Sequence, residues 1–595
     1  MERQQWKVVF LGATLVIGCT GQVGGGPPGS PGAAGSSGST TGTPGGGGSG
    51  NSVGAGGAGS PSGAAGTGVV SPTPTVCTPG IAPTSQIARL TNLQYERTIY
   101  DLLGVTAIDN APVSSVLATS QAGGLTDLER SAYDTAATKI AAQVMASTTL
   151  RANFLKCTLT GDGKQCLYDT IAQFGRRAFR RPLAADDIAR MRKLVDDGPM
   201  LTPNGTPTEI AELVLYGFLV SPSFLQRNEL VETQPAGTNR YTLSGHEIAS
   251  RLSYMLWGST PDPMLDMAAD SGQLTTPAQI KTQAMRMVAD PKARTRISEF
   301  HREYLHITPN SPWNNVVKDT TMFSFFNPSV IPTLIREMEV FFDEVAFVKK
   351  GTFQDLLTSP VAYVNKALAP YYGLPAASFT DELKATTLDA NQRPGFLTRA
   401  GFLNAFAAGS YSNPIKRGAF IMKDVLGIDP GSPPPGAEMT PLPAASATIN
   451  TNRKRFEALS ALASNCMGCH VTYINPPGFA LEAFNAAGLW QTTESFSGEP
   501  IDTSADVVVE RIDGQNTMKH VNGPAELMAA IAASSAAQHQ YAKKLVSFAF
   551  ERNGNAADCG TVNTLATSIA AGSYPLLNVI ADVAQADAFR IRAVE

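Results

Sequence analysis

Charge is scarce in this chain of 595 residues: 16% are Asp, Glu, Lys or Arg, and the formal net charge is -4. With no block of basic residues, a nucleic-acid surface built on charge is excluded. There is no HExxH pair and no P-loop, which removes zinc metalloproteases and phosphate-cradling nucleotide enzymes. No stretch supplies the roughly 20 apolar residues of a bilayer-spanning helix. No internal repeat is visible. Acidic pairs such as Asp186-Asp187, and Glu339 with Asp343, read as solvated helix faces rather than acid/base machinery.

What the chain does have begins with an address. Arg3 and Lys7 precede an apolar run from Val8 to Ile17, too short to span a membrane, that ends in Val16-Ile17-Gly18-Cys19. This is the form of a lipoprotein signal peptide over 1–19, with Cys19 as the lipidation site; the alternative is an ordinary secretory signal. Acyl chains on Cys19 would tether an exported protein to a periplasmic, outer-membrane or cell-surface face. Residues 20–76 are nearly all Gly, Ser, Pro, Ala and Thr, a composition expected to stay disordered as a tether. A nucleophile-elbow match at Gly50–Gly54 falls inside this segment, where it has no strand or helix around it and is a coincidence.

Of seven cysteines, the six after Cys19 divide by position. Cys157 and Cys166 flank the turn-rich Thr160-Gly161-Asp162-Gly163 and are expected to pair. Elimination leaves Cys77 and Cys559, which would clasp the start of the folded chain to its end. The remaining two lie in Cys466-Met467-Gly468-Cys469-His470, the pattern of covalent c-type haem attachment. There each thiol would form a thioether and His470 would be an axial ligand of haem iron. Structural zinc, the rival reading, needs four ligands, and no second Cys/His pair follows.

The folded chain is expected to be mainly α, as multi-helical modules with a C-terminal cytochrome c-like haem region and little β. Thr91-Asn92-Leu93-Gln94 and Ser244-Gly245-His246-Glu247 have capping-box spacing, and Thr276-Pro277 puts proline at a first helical position. Amphipathic stretches cover Ile210–Phe218, Ile331–Phe347 and Glu526–Ala533. One strand is expected at Val507–Ile512, turning at Asp513-Gly514. The expected modules are 77–150, 151–235 with the disulfide, 236–375, 376–500 with the haem motif, and 501–595. The proline-rich run from Pro430 to Pro443 is expected to part the large helical region from the haem region.

Several phrases, in order, carry a resemblance. They include Phe174-Gly175-Arg176-Arg177-Ala178-Phe179-Arg180-Arg181-Pro182-Leu183, Glu247 to Trp257, Arg393-Pro394-Gly395-Phe396-Leu397, and Asn413-Pro414-Ile415-Lys416-Arg417-Gly418. The haem motif comes next, followed by Pro477-Gly478-Phe479-Ala480-Leu481-Glu482. Together they resemble the planctomycete-type cytochrome c-like exported proteins, which string together five domains of unknown function, here in a myxobacterial-style lipoprotein variant. The resemblance covers roughly residues 85–590. It implies a haem-binding region and a surface location, and supplies no substrate. Where the family commonly carries Asp-Pro after the haem motif, this chain has Asn475-Pro476.

The leading expectation is an exported, membrane-anchored c-type haem protein that transfers electrons to an unidentified redox partner protein, with haem c held covalently by Cys466, Cys469 and His470. One alternative is a haem-dependent oxidoreductase with an open iron site, whose catalytic residues the sequence does not name. Another is a non-catalytic surface binding or scaffold protein without haem. Met439, Met518, His520, Met528 and His539 are the candidate sixth ligands. Pro477, Phe479, Leu481 and Phe484 either wall the haem or pack a core. Arg176–Arg181 reads as an anion site or as salt-bridged surface. His246 reads as structural, and the spacing of His301 and His306 does not stack two ligands on one helical face.

Overall fold

Helix starts are set by side chains within a few residues of each end. Thr91, Ser244 and Thr276 each accept the backbone N–H of the third helical residue, and Gln94, Glu247 and Gln279 return the bond. These reciprocal pairs satisfy donors that a helix start otherwise leaves open. They open helices Asn92–Leu103, Gly245–Leu256 and Pro277–Val288. Thr126 with Glu129 and Thr206 with Glu209 do the same for Asp127–Ala146 and Pro207–Leu219.

The computed structural model describes residues 77–83, 88–117, 126–229, 238–433, 440–462 and 464–594. The signal peptide and lipidation site expected at 1–19, the tether at 20–76, and Met439 lie outside the described residues. The described chain is mainly helical, and its strands pair two by two. No described helix is long and apolar enough to cross a membrane.

Residues from Leu90 to Leu225 build one apolar core, in which Phe174 meets both Phe154 and Phe218 edge to face. A second, larger core runs from Leu243 to Phe589, and a smaller one around Tyr371 and Leu334 adjoins it. The two large cores are joined by charge. Glu551 ends its helix in a left-handed conformation (φ 51°), and its carboxylate takes Arg227, Arg296 and the Gln94 amide. The first and last described segments are tied in as well. Ile591–Ala593 pairs antiparallel with Arg240–Thr242, and Cys77 is disulfide-bonded to Cys559.

The expected hairpin is present. Strand β1, Ser504–Ile512, pairs with β2, Gln515–Asn522. The turn between them uses positive φ at Asp513 (51°) and Gly514 (79°), the backbone that matches strand twist. The proline-rich run does not part the structure as expected. Helix α1, Pro414–Phe420, lies before the run and α2, Asn475–Phe479, after it, and the two cross in direct backbone contact. Proline punctuates the local chain, but the apolar surface on both sides still has to be buried in one core.

Candidate haem-attachment site

Cys466 and Cys469 sit on helix Ser464–Cys469, three residues apart and so on one face, with both thiols part-exposed. At His470 the helix loosens into a π-helical turn, His470–Ile474, which runs directly into α2. Met467 and Val471, four residues apart, form an exposed apolar stripe, while a Cβ on Gly468 would meet nothing within 4 Å. The outer side of this turn is therefore open.

The inner side is closely held. Gly418 and Gly478 let α1 and α2 approach until backbone meets backbone. Arg417, on α1 and fully buried, donates to the carbonyls of Leu481 (3.0 Å), Phe484 (2.9 Å), Leu403 (3.3 Å) and Asn485 (3.1 Å). Arg393 likewise caps the Gly488 and Thr398 carbonyls. Glu482, buried beside them, accepts from Ser412 and Asn452, and burial pushes its carboxyl up. The motif phrases around the site thus act as struts: long cations spanning to backbone carbonyls of distant segments.

Cys469 and His470 are shifted in opposite directions. Burial, the Cys466 thiol and Asp429 together push the Cys469 thiol up, which disfavours its thiolate. Burial pulls His470 down, opposed by its bond to Asn475 (Nδ1 to Oδ1, 3.2 Å), a shift toward the neutral ring. A metal ligand must be neutral imidazole, with its other nitrogen oriented by a hydrogen bond. Two part-exposed thiols on one face and an adjacent histidine with its Nδ1 engaged are a donor set that fits covalent haem. Zinc is less well matched. Among the described residues no group of three or more His, Cys, Asp or Glu is placed to hold a metal ion.

The other sequence candidates fall elsewhere. Met528 is 0% exposed in the main core, a packing residue. His539 engages Ser535 and Asn563 through its two ring nitrogens, and His520 pairs with Asp506. Met518 stands half-exposed on β2, two residues from Asn516, whose amide reaches Tyr473 just past His470. Phe479, Leu481 and Phe484 are buried, with Leu481 and Phe484 in the main core. Arg176 pairs with Asp266 and Asp270, Arg181 with Asp187, and Arg180 donates to the carbonyls of Ser223, Phe224 and Gln226. That cluster is internal bracing. His246 joins the same acidic pair, and His301 is buried against Phe342 and Tyr541. Asn475 and Ser460 were not singled out as site residues from sequence; the Asn-Pro step after the motif was the available signal.

Four family models match the chain in series. They are described as proteins of unknown function: DUF1595 over residues 166–229, DUF1592 over 243–374, DUF1588 over 393–494 and DUF1585 over 519–589. The chain is built of serial domains of unknown function. The DUF1588 segment contains the CMGCH motif, α1, α2 and the arginine struts. No curated protein and no solved structure matches the chain.

Proposed function

We propose that this chain is an exported, membrane-anchored protein that carries one covalent haem at Cys466 and Cys469, with His470 as axial ligand, and transfers electrons. The observation that carries the reading is the turn at 466–470: two part-exposed thiols three residues apart on one helical face, followed by a histidine whose Nδ1 is already engaged. When bound, haem supplies one-electron chemistry through ferrous and ferric iron. The chain's own part is to hold the ligand ring neutral and oriented, and to brace the turn through Arg417 and the Gly418–Gly478 crossing. Two disulfides support an oxidising compartment, where c-type attachment takes place. Anchoring through Cys19 rests on the lipobox sequence alone.

The candidate distal ligands bear on a second reading, an oxidoreductase with an open iron site. With Met528 committed to the core, Met518 is the half-exposed methionine on the strand that reaches Tyr473. A ferrous protein that binds carbon monoxide at once would favour the open site over electron transfer.

The deciding experiment is a pyridine haemochrome spectrum of the protein exported with c-type maturation supplied, beside a Cys466→Ala control. One covalent haem per chain in the wild type, altered in the control, is the expected result. A haem-free wild type ends the electron-transfer reading and leaves a surface binding or scaffold protein.

A further inference from the structure

The contact between His470 Nδ1 and Asn475 Oδ1 is 3.2 Å long. Alone it decides nothing, because an amide can face either way and a neutral imidazole can carry its proton on either nitrogen. Two further bonds remove both freedoms. Ser460 closes helix Asn452–Ser460, and its hydroxyl donates to the Phe456 carbonyl at 2.8 Å. A carbonyl only accepts, so the one hydroxyl proton is spent there. Ser460 Oγ must then accept from the group facing it at 2.9 Å, which makes that group Asn475 Nδ2. With Nδ2 turned to Ser460, Oδ1 faces His470. An amide oxygen only accepts, so His470 Nδ1 carries the proton. The lone pair of the ring is left on Nε2.

Burial makes this sequence of bonds effective. Asn475 and Ser460 are each 2% exposed, so water does not compete for either side chain. Their backbones are fixed by separate means, Ser460 by its helix and Asn475 by the α1–α2 crossing.

We infer that Asn475, held in one orientation by Ser460, is the positioning residue that presents His470 through Nε2 as a metal ligand. The use of that nitrogen rests on the haem reading; the tautomer does not. Asn475 is also a neutral acceptor. A carboxylate there would draw the Nδ1 proton more strongly and make the ring a more basic ligand.

The test uses the full exported chain, labelled with 15N-histidine and free of haem, at a pH about two units above the ordinary histidine value. Two-bond nitrogen–proton spectra, with His470→Ala for assignment, report which ring nitrogen is protonated. The Nδ1–H form should exceed the other by about ten to one, the ratio that one net hydrogen bond supplies. Ser460→Ala and Asn475→Leu should each lower that ratio, and Asn475→Asp should preserve it. A wild-type ring protonated at Nε2, or a ratio unmoved by Asn475→Leu and Ser460→Ala, overturns the inference. In the haem-loaded chain, Asn475→Asp should lower the midpoint potential relative to wild type; an unchanged potential overturns the role toward iron. Should no haem attach to the wild type, the haem reading fails, while the nitrogen spectra still decide the tautomer.

Discussion

Gly418 and Gly478 occupy reciprocal positions at the crossing of α1 and α2: a Cβ on Gly418 would overlap the Ile474 carbonyl, and one on Gly478 would overlap the Pro414 carbonyl. Neither neighbour is a side-chain tip that can swing away. The crossing therefore depends on both residues lacking a side chain, and it seats the turn that begins at His470.

Gly418→Ala and Gly478→Ala should each destabilise the protein by at least about 3 kcal/mol, since the clash is with backbone and cannot relax by a rotamer change. Gly468→Ala is the control. It lies in a helix with open space around it, so the haem-free chain should be unchanged or more stable by up to about 1 kcal/mol. Urea unfolding of the three variants checks the contrast.

Arg417 donates to four carbonyls from a fully buried position. Arg417→Met keeps much of the volume but removes the donor those four carbonyls share, of which Leu481 and Asn485 keep a backbone N–H, so a loss of about 3 kcal/mol is expected. Arg417→Lys should recover only part of it, because an ammonium cannot span the same fork of acceptors. Denaturant midpoints for the pair measure the difference.

His301 is the buried group with the clearest acid response. Burial pulls its pKa from 6.5 to about 3, and its ring bonds to Tyr541. Above the unfolded value both states are neutral and the group has no effect. As pH falls below about 6.5 the unfolded chain takes a proton that the folded chain refuses, so stability drops by about 1.4 kcal/mol per pH unit until about pH 3. His301→Phe should lose a pH-independent amount from the Tyr541 bond and show a shallower acid slope. Unfolding free energies measured across that range test the sign. An unchanged slope would mean the ring is protonated in the folded protein.

Cys157 and Cys166 close a loop with a sequence separation of 9. Replacing both by serine should cost about 3 kcal/mol in the chain-entropy account of cross-links. The Cys77–Cys559 bond, with a separation of 482, constrains a far larger loop. In the same account its loss costs about 6 kcal/mol, so unfolding scans should rank the two double variants in that order.

Much of this architecture is legible locally. Thr91, Ser244 and Thr276 announce their helices because a capping box is complete within four residues. Asp513-Gly514 announces the hairpin because its turn needs positive φ at adjacent positions. The Cys157–Cys166 bond follows from a short turn between the two residues. The misreading at Pro430–Pro443 has the same origin: proline describes the chain's path at that point and carries no information about which surfaces meet beyond it.

The sequence by itself determined the mainly helical character, the positions of helix starts, the β1–β2 turn and the CMGCH motif, since each is encoded by neighbours along the chain. Tertiary structure alone decided that Arg176–Arg181 serves internal bracing, that Met528 is a core residue, and that Arg417 reaches the segment after the motif. It also decided that Ser460 orients Asn475 and Asn475 orients His470. The physical reason is one of range. A cap or turn is satisfied within a few residues, whereas a buried donor takes whichever acceptor packing brings to it, and that pairing exists only once the core has closed.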